Sequence, residues 1–283
     1  MGITLKKAQF AFLILLLTAH VAVAEEELVF AVSPMASPAA TASSFSEFID
    51  YLSEKLGGKV ILKQRRKYSE INDLLKSGKA SVAFTCTGAY LAGRRDFGLE
   101  LLAVPIMNGK TTYNSYIIVH RNSPIKNIEE LKGKLFAFTD PLSLTGKLYV
   151  TSLLNERGIV TRDYFGKTFY TAGHEKSIEA VATGLADGAS VDSLILDDLR
   201  KKGNPYASQV KVIKASQPFG IPPFVVSPEL PTEDRKALIK ILLNMAKEGK
   251  GREILGKIGI DGFELPNHTN YLSAREVEKK IKE

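Results

Sequence analysis

Apolar strand-like runs alternate with helical periodicity along most of this chain, and glycines close the helical stretches. Leu28–Val32 reads as a short buried strand. Ser43 or Ser44 can cap a helix running to Leu56, with Phe45, Phe48, Ile49 and Leu52 on one face and Gly57-Gly58 ending it. Lys59–Leu62 is the next strand, Tyr68–Lys76 the next helix, closed by Gly78, and Ala80–Phe84 a third strand. Thr85-Cys86-Thr87-Gly88 then leads into the helical Ala89–Arg95. Such alternation predicts an α/β fold with mainly parallel sheets covered by helices.

Two further apolar strands, Leu101–Met107 and Ser115–His120, precede a second series that starts at Phe136. This series predicts a helix from about Thr145 to Arg157, a strand near Thr168–Tyr170 and a helix over Glu175–Thr183, ended by Gly184. Strands follow at Gly188–Val191 and Val210–Ile213. After Pro218–Pro223 come the strand Phe224–Val226, helical patterns over Thr232–Glu248 and Gly251–Ile258, and a charged helix, Ala274–Glu283, expected on the surface. Two series joined by crossover strands near 113–119 and 212–219 imply two lobes with a ligand cleft between them. Residues 25–112 with 217–283 would form lobe 1 and residues 113–216 lobe 2.

At the N-terminus, Lys6 and Lys7 precede the apolar run Ala8–Val21, and Ala22-Val23-Ala24 supplies small residues for cleavage. Residues 1–24 therefore read as a secretory signal peptide. The run is shorter than the ~20 apolar residues of a membrane span, and Thr18 and His20 interrupt it. A periplasmic protein beginning near Glu25 is expected. Loss of Lys6 and Lys7 lowers the formal charge from +7 to +5, an excess that suits a small acidic ligand or an anionic surface. No block of basic residues tracks a phosphate backbone, so nucleic acid is not an expected partner; the densest cluster, Lys63–Lys67, reads as a solvated strand end. Cys86 is the single cysteine, so no disulfide forms within the chain and stability rests on core burial.

In open α/β sheets ligands lie beyond the carboxyl ends of the strands. That rule marks Ser33–Ser44, Thr85–Gly88 and Asp140–Gly146 as rim segments. In the last, the strand Phe136-Ala-Phe-Thr breaks at Asp140-Pro141 and passes through Ser143, Leu144, Thr145 and Gly146 into a helix. A helix start bearing hydroxyls offers free N–H groups, side-chain donors and the positive end of the macrodipole, although Ser and Thr there also serve as plain N-caps. His174 stands between a strand and a helix, either as a surface loop residue or as a donor to the cleft. Asp192 stands at a strand's carboxyl end, either as a helix cap or as the acceptor of a proton carried by a ligand oxygen. Tyr113 and Ser115 sit at the first crossover, and Thr85 and Thr87 open the helix of the first lobe. The sequence shows no nucleophile elbow, no metal-spaced His/Cys set and no phosphate loop, so no catalytic residue, metal or cofactor is expected.

Asp140-Pro-Leu-Ser-Leu-Thr-Gly146, Gly173-His-Glu-Lys-Ser-Ile178 and Gly184-Leu-Ala-Asp187 with Val191-Asp192 resemble, in order, the signatures of the phosphonate- and phosphite-binding (PhnD-like) substrate-binding proteins of ABC importers. Tyr113-Asn-Ser115, Ser123-Pro-Ile125, Glu130-Leu-Lys-Gly133 and Ala89-Tyr90 add to the likeness, which spans roughly Leu28 to Leu265. The resemblance implies a two-lobed type II periplasmic-binding-protein fold, without catalysis. It further implies a monomer that closes on phosphonate, phosphite or phosphate and delivers it to an ABC permease. Ser143, Thr145 and the local N–H groups would hold the oxyanion, His174 and Tyr113 would donate to it, and Asp192 would receive the P–OH proton. The chain departs from the family pattern at Leu144, where a second hydroxyl is usual, at Cys86-Thr87-Gly88 in place of Gly-Pro, and in a first loop without an aromatic residue. Cys86 keeps open a rival reading, an arsenite sensor signalling to a histidine kinase, against that of a small buried apolar residue. A hydrolase on the same lobes would need a base–nucleophile pair that the sequence does not show.

Overall fold

A computed structural model of the protein describes residues 27–35 and 38–281; the signal peptide expected over residues 1–24 lies outside them. The chain lays down β1 (Leu28–Val32), β2 (Val60–Gln64), β3 (Val82–Phe84), β4 (Glu100–Ile106), β5 (Thr112–Tyr113), β6 (Ser115–His120), β7 (Leu135–Phe138), β8 (Lys167–Tyr170), β9 (Gly188–Asp192), β10 (Val210–Ala215), β11 (Phe219–Gly220), β12 (Phe224–Val226) and β13 (Gly262–Glu264). They form a six-stranded sheet, β13-β4-β12-β3-β1-β2, and a five-stranded sheet, β10-β6-β9-β7-β8. The fold is the two-lobed α/β architecture that the alternation implies. β1 lies between β2 and β3 and is apolar along its whole length, as a central parallel strand must be. β2 lies at the edge and ends in the half-exposed Lys63 and Gln64, with Arg65, Arg66 and Lys67 exposed beyond it.

Most strands of each sheet run one way, but the reversed ones make the pairing mixed. β12 enters antiparallel between β3 and β4, and β13 pairs antiparallel with β4. In the second sheet β7 is parallel to β8 and β9, while β6 runs against β9 and β10. Reversal follows from connectivity: β6 and β12 each enter a sheet from the other lobe rather than through a helical crossover.

The chain passes between the sheets from β4 to β6 and returns from β10 to β12. On the way the two passages pair as an antiparallel ribbon, Phe219 opposite Tyr113 and Gly220 opposite Thr112. Gly220 admits no side chain, since a Cβ would lie 2.5 Å from the Asn270 carbonyl oxygen. A buried cluster containing Tyr113, Leu144, Phe219 and Tyr271 runs through this region between the lobes. Lobe 1 packs a second buried cluster around interlocked rings of Phe30, Phe45, Phe48, Phe84, Phe224 and Phe263.

Several elements differ from the sequence expectations. The first helix covers Pro38–Leu56, starting before Ser43 because proline is well suited to a helix's first turn. The helix expected from about Thr145 to Arg157 is a π-helical turn, Leu144–Leu148, followed by an α-helix, Tyr149–Asn155. The Thr232 helix ends at Met245 and the next covers Gly249–Lys257. The last helix, Leu272–Lys279, is not a purely surface element. Ala274 and Val277 are buried in the shared core, while Glu278 pairs with Arg95 of lobe 1 and Lys280 with Glu156 of lobe 2.

Candidate functional site

The turn after β7 is built by local chemistry. Asp140 ends the strand and its carboxylate accepts the Leu142 N–H (2.8 Å). Ser143 caps the helical turn, its hydroxyl accepting the Gly146 N–H (2.9 Å). Gly146 packs so tightly that a Cβ would lie 2.5 Å from Thr139 Oγ1 and 2.8 Å from Ser143 Oγ. The Thr145 carbonyl accepts the hydroxyls of Ser115 (2.8 Å) and Ser190 (2.5 Å) sideways. The turn itself is π-helical, with Leu148 N–H bonded to the Ser143 carbonyl (3.0 Å), a feature frequent at functional sites. The N–H groups at the start of the turn are engaged locally, Ser143 N–H by the Asp140 carbonyl (3.0 Å) and Lys147 N–H by the Ser143 carbonyl (3.0 Å).

Around this turn three buried hydroxyls have no hydrogen-bond partner: Tyr68 OH, Tyr113 OH and Thr145 Oγ1. Unpaired buried polar atoms are rare, and each calls for an explanation such as a ligand. The three belong to one neighbourhood. Burial pushes the Tyr68 and Tyr113 phenols well above their ordinary range, and the proximity of Cys86 and Asp192 raises both further. The Thr87 and Thr145 hydroxyls lie near enough to Tyr113 to pull it partly back, without reaching hydrogen-bond geometry.

Asp192 takes the first of the two roles weighed for it and is buried as well. At the carboxyl end of β9 it caps the Ser193–Lys201 helix, accepting the Leu194 N–H (2.7 Å), and it is 3% exposed. Burial raises its carboxyl from 3.8 to about 7, against the lowering effect of the Leu194 and Ile195 N–H groups. His174 is buried too, not a surface loop residue, and burial depresses its imidazole to about 3, so the ring is neutral. Its Nδ1 accepts the Asp192 N–H (3.1 Å) and lies 3.2 Å from the Thr139 hydroxyl. An N–H donor on Nδ1 requires the ring proton on Nε2, which makes that nitrogen a donor.

Tyr113, Thr145 and Asp192 thus come together, with His174 joined through the Asp192 N–H. Ser143 and Gly146 shape the turn from within. Ser115 supports it from beneath, since its hydroxyl is bound to Thr145 O and lies 3.0 Å from Ser190 Oγ. Thr85 Oγ1 is bound to Ser33 Oγ (2.8 Å), and Thr87 donates to the Gly220 carbonyl (2.8 Å). The apolar Leu144 side chain lies in the shared core. Cys86 stands at the N-cap position of the Thr87–Phe97 helix, near the Leu144 N–H of the other lobe, and burial raises its thiol to about 11.

Sequence reasoning missed Tyr68. It opens the helix after β2, so the carboxyl-end rule applied to that strand would have found it. Its N–H donates to Asp140 Oδ2 across the cleft (3.2 Å), which also gives Asp140 a role between the lobes that its Asp-Pro setting did not reveal. Thr139 and Ser190 carried no sequence signal.

The model of one protein family, described as "ABC transporter, phosphonate, periplasmic substrate-binding protein", matches residues 30–271. The chain belongs to this family. The binding protein is 24% identical over 275 residues to the phosphonates-binding periplasmic protein of Escherichia coli, covering 95% of this chain and 81% of the other. It is 26% identical over 199 residues to the phosphate-import protein PhnD of Mycolicibacterium smegmatis, covering 66% of this chain and 62% of the other. Among solved structures, it resembles a binding-protein component of an ABC phosphonate transporter from Pseudomonas aeruginosa (TM-score 0.83, 21% identity, 89% of this chain and 85% of that). It also resembles PhnD1 of Prochlorococcus marinus in complex with methylphosphonate (TM-score 0.81, 18% identity, 91% and 98%). The family is one of solute capture for transport, not a class of enzymes.

Proposed function

We propose that this protein, exported to the periplasm by its N-terminal signal peptide, closes as a monomer on a phosphorus oxyanion and presents it to an ABC permease. Tyr113–Val119 and residues 212–219 would serve as the crossovers between lobe 1 (25–112 with 217–283) and lobe 2 (113–216). The observation that carries the reading is the convergence of Tyr68 OH, Tyr113 OH and Thr145 Oγ1, buried and unpartnered, beside Asp192. Three neutral hydroxyl donors suit an oxyanion, whose several lone pairs need several donors. His174 adds an uncharged N–H donor, and Asp192, balanced near neutrality, meets the oxygen that still carries a proton. A hydroxyl at position 144 is absent; the Tyr68 hydroxyl adds a donor from the opposite lobe. The names of the relatives, a phosphonate binder and a phosphate importer, support the same ligand class.

The arsenite-sensor reading has Cys86 in the wall of this site behind it, yet a thiol raised to about 11 by burial is protonated at neutral pH and a poor metal ligand. A thermal-shift panel with phosphate, phosphite, methylphosphonate, 2-aminoethylphosphonate, sulfate and arsenite separates the two. A ligand at 100 times its Kd adds about 2.7 kcal/mol. A shift with a phosphorus oxyanion that Thr145→Ala abolishes supports capture for import; a shift with arsenite alone, lost in Cys86→Ser, refutes it.

A further inference from the structure

The helix after β2, Tyr68–Lys76, opens on a poor cap. Lys67 stands at its N-cap position and makes no side-chain cap hydrogen bond. An ammonium group can only donate, and a cation at a helix start meets the positive end of the dipole. Glu70 turns back and takes the N–H groups of Arg66 and Lys67 (both 3.0 Å). The Tyr68 N–H, in the first helical turn, has no acceptor within the helix. Its acceptor is Asp140 Oδ2 (3.2 Å), in the seat turn of the other lobe.

Asp140 therefore uses its two oxygens in two lobes. Oδ1 accepts the Leu142 N–H (2.8 Å) and fixes the Asp-Pro turn that leads into Ser143–Gly146. Oδ2 reaches the residue whose phenol lies buried and unpartnered beside that turn. The carboxylate is 4% exposed, and its charge is met by these two N–H groups and, less closely, by Lys67 and Lys147. A charge-assisted bond to the backbone of one residue fixes where that residue stands. The Tyr68 ring is fully buried, so its hydroxyl goes where the backbone at position 68 carries it.

We infer that Asp140 is a positioning residue of the binding site: its carboxylate caps the Tyr68–Lys76 helix across the cleft and so sets the Tyr68 hydroxyl at the oxyanion seat when the lobes meet. The inference rests on the oxyanion reading above. It also gives the lysine at position 67 a purpose. An Asp or Ser there would complete the helix start in the open protein, whereas Lys67 leaves it to be completed on closure and attracts Asp140.

The test is calorimetric titration with phosphate, phosphite, methylphosphonate and 2-aminoethylphosphonate, the tightest binder then being carried through the variants. Asp140→Asn keeps the size and one acceptor oxygen, but in either orientation of its amide one of the two N–H groups faces an NH2. It should weaken binding about tenfold or more, the loss expected for a hydrogen bond to a charged group. In a Tyr68→Phe background the same change should cost no more than about threefold, because the hydroxyl it places is gone; in a Tyr113→Phe background the full loss should remain. Equal losses in the two backgrounds overturn the inference and make Asp140 a support of its own turn only. Lys67→Asp leaves Asp140 in place, supplies the helix with a local cap and sets a like charge opposite Asp140. Its ligand-free melting temperature should hold or rise while affinity falls about threefold or more at low salt. Unchanged affinity in a folded Asp140→Asn or, should that variant not fold, in Lys67→Asp overturns the inference while leaving oxyanion capture standing. Failure of every phosphorus compound to bind the wild type overturns both.

Discussion

Replacing Gly88 by alanine should separate lobe closure from folding. Gly88 lies in the first turn of the Thr87–Phe97 helix of lobe 1, where an added Cβ would come 2.2 Å from the Leu142 carbonyl oxygen and 2.9 Å from the Leu144 nitrogen. Both are backbone atoms of lobe 2, so the clash is not relieved by turning a side chain. Ordinary contacts begin near ~3.5 Å, so the lobes must stand about 1 Å further apart at this point. The same approach brings the Tyr68 N–H to Asp140 and the lobe 1 phenol of Tyr68 to the lobe 2 turn. Weakening one hydrogen bond to a charged ligand costs about 1.5–3 kcal/mol, roughly ten- to a hundredfold in Kd. Alanine is the better helix former by ~0.8–1 kcal/mol, so the open protein should not lose stability. Calorimetry of a phosphonate ligand, small-angle scattering with and without it, and melting of the ligand-free protein measure the three quantities. Wild-type affinity and compaction in Gly88→Ala would refute closure at this contact, as would a clear drop in ligand-free melting temperature, which would make the contact permanent packing.

Asp192, with its carboxyl raised from 3.8 to about 7, binds a proton in the folded state that the unfolded chain releases, so it lowers stability as pH rises across that window. Asp192→Asn keeps the cap and should remove this trend, at about 1.4 kcal/mol per pH unit, in urea melts from pH 4 to 8; identical pH profiles would count against the buried carboxyl. His174, depressed to about 3, acts oppositely: its contribution is complete above the ordinary 6.5 and is lost as pH falls toward 3, so between about pH 4 and 6.5 the two slopes offset in the wild type; His174→Gln should uncover the fall in stability with rising pH, and Asp192→Asn the opposite rise. Tyr68→Phe and Tyr113→Phe each remove an unpartnered buried hydroxyl and should weaken phosphonate binding about tenfold or more without lowering the ligand-free melting point; a destabilised apo protein with intact affinity would contradict the donor role. Cys86, 2% exposed and with its thiol near 11, should resist iodoacetamide at pH 8 in the native protein, and rapid alkylation would show the site to be open.

The alternation of strands and helices, the Asp-Pro break and the hydroxyl-rich helix start are local signals, and the elements they announce are present in the fold. Ser143 caps the turn because its preference for that position needs no distant partner. The π turn was not legible, because its apolar spacing is that of an α-helix; nor were Ser115 and Ser190, donors remote in sequence that reach the Thr145 carbonyl from β6 and β9. Asp192 reads as cap or ligand contact with equal right from sequence, and the structure shows it as a cap that is also buried, which no local pattern announces. Thr85 and Thr87 look like a second anion site, yet Ser33 and the Gly220 carbonyl engage their hydroxyls.

By itself the sequence determined the α/β class, the order of the elements and the turn after β7, because strand and helix periodicities and capping are properties of neighbouring residues. Only the tertiary structure decided that Tyr68 faces the second lobe, that Gly88 is a point of closest approach, and that a cavity lined from both lobes adjoins Asp192. Each of these depends on how the two lobes meet across the β5–β11 ribbon. That meeting is set by packing between residues far apart in the chain, where no local pattern leaves a trace.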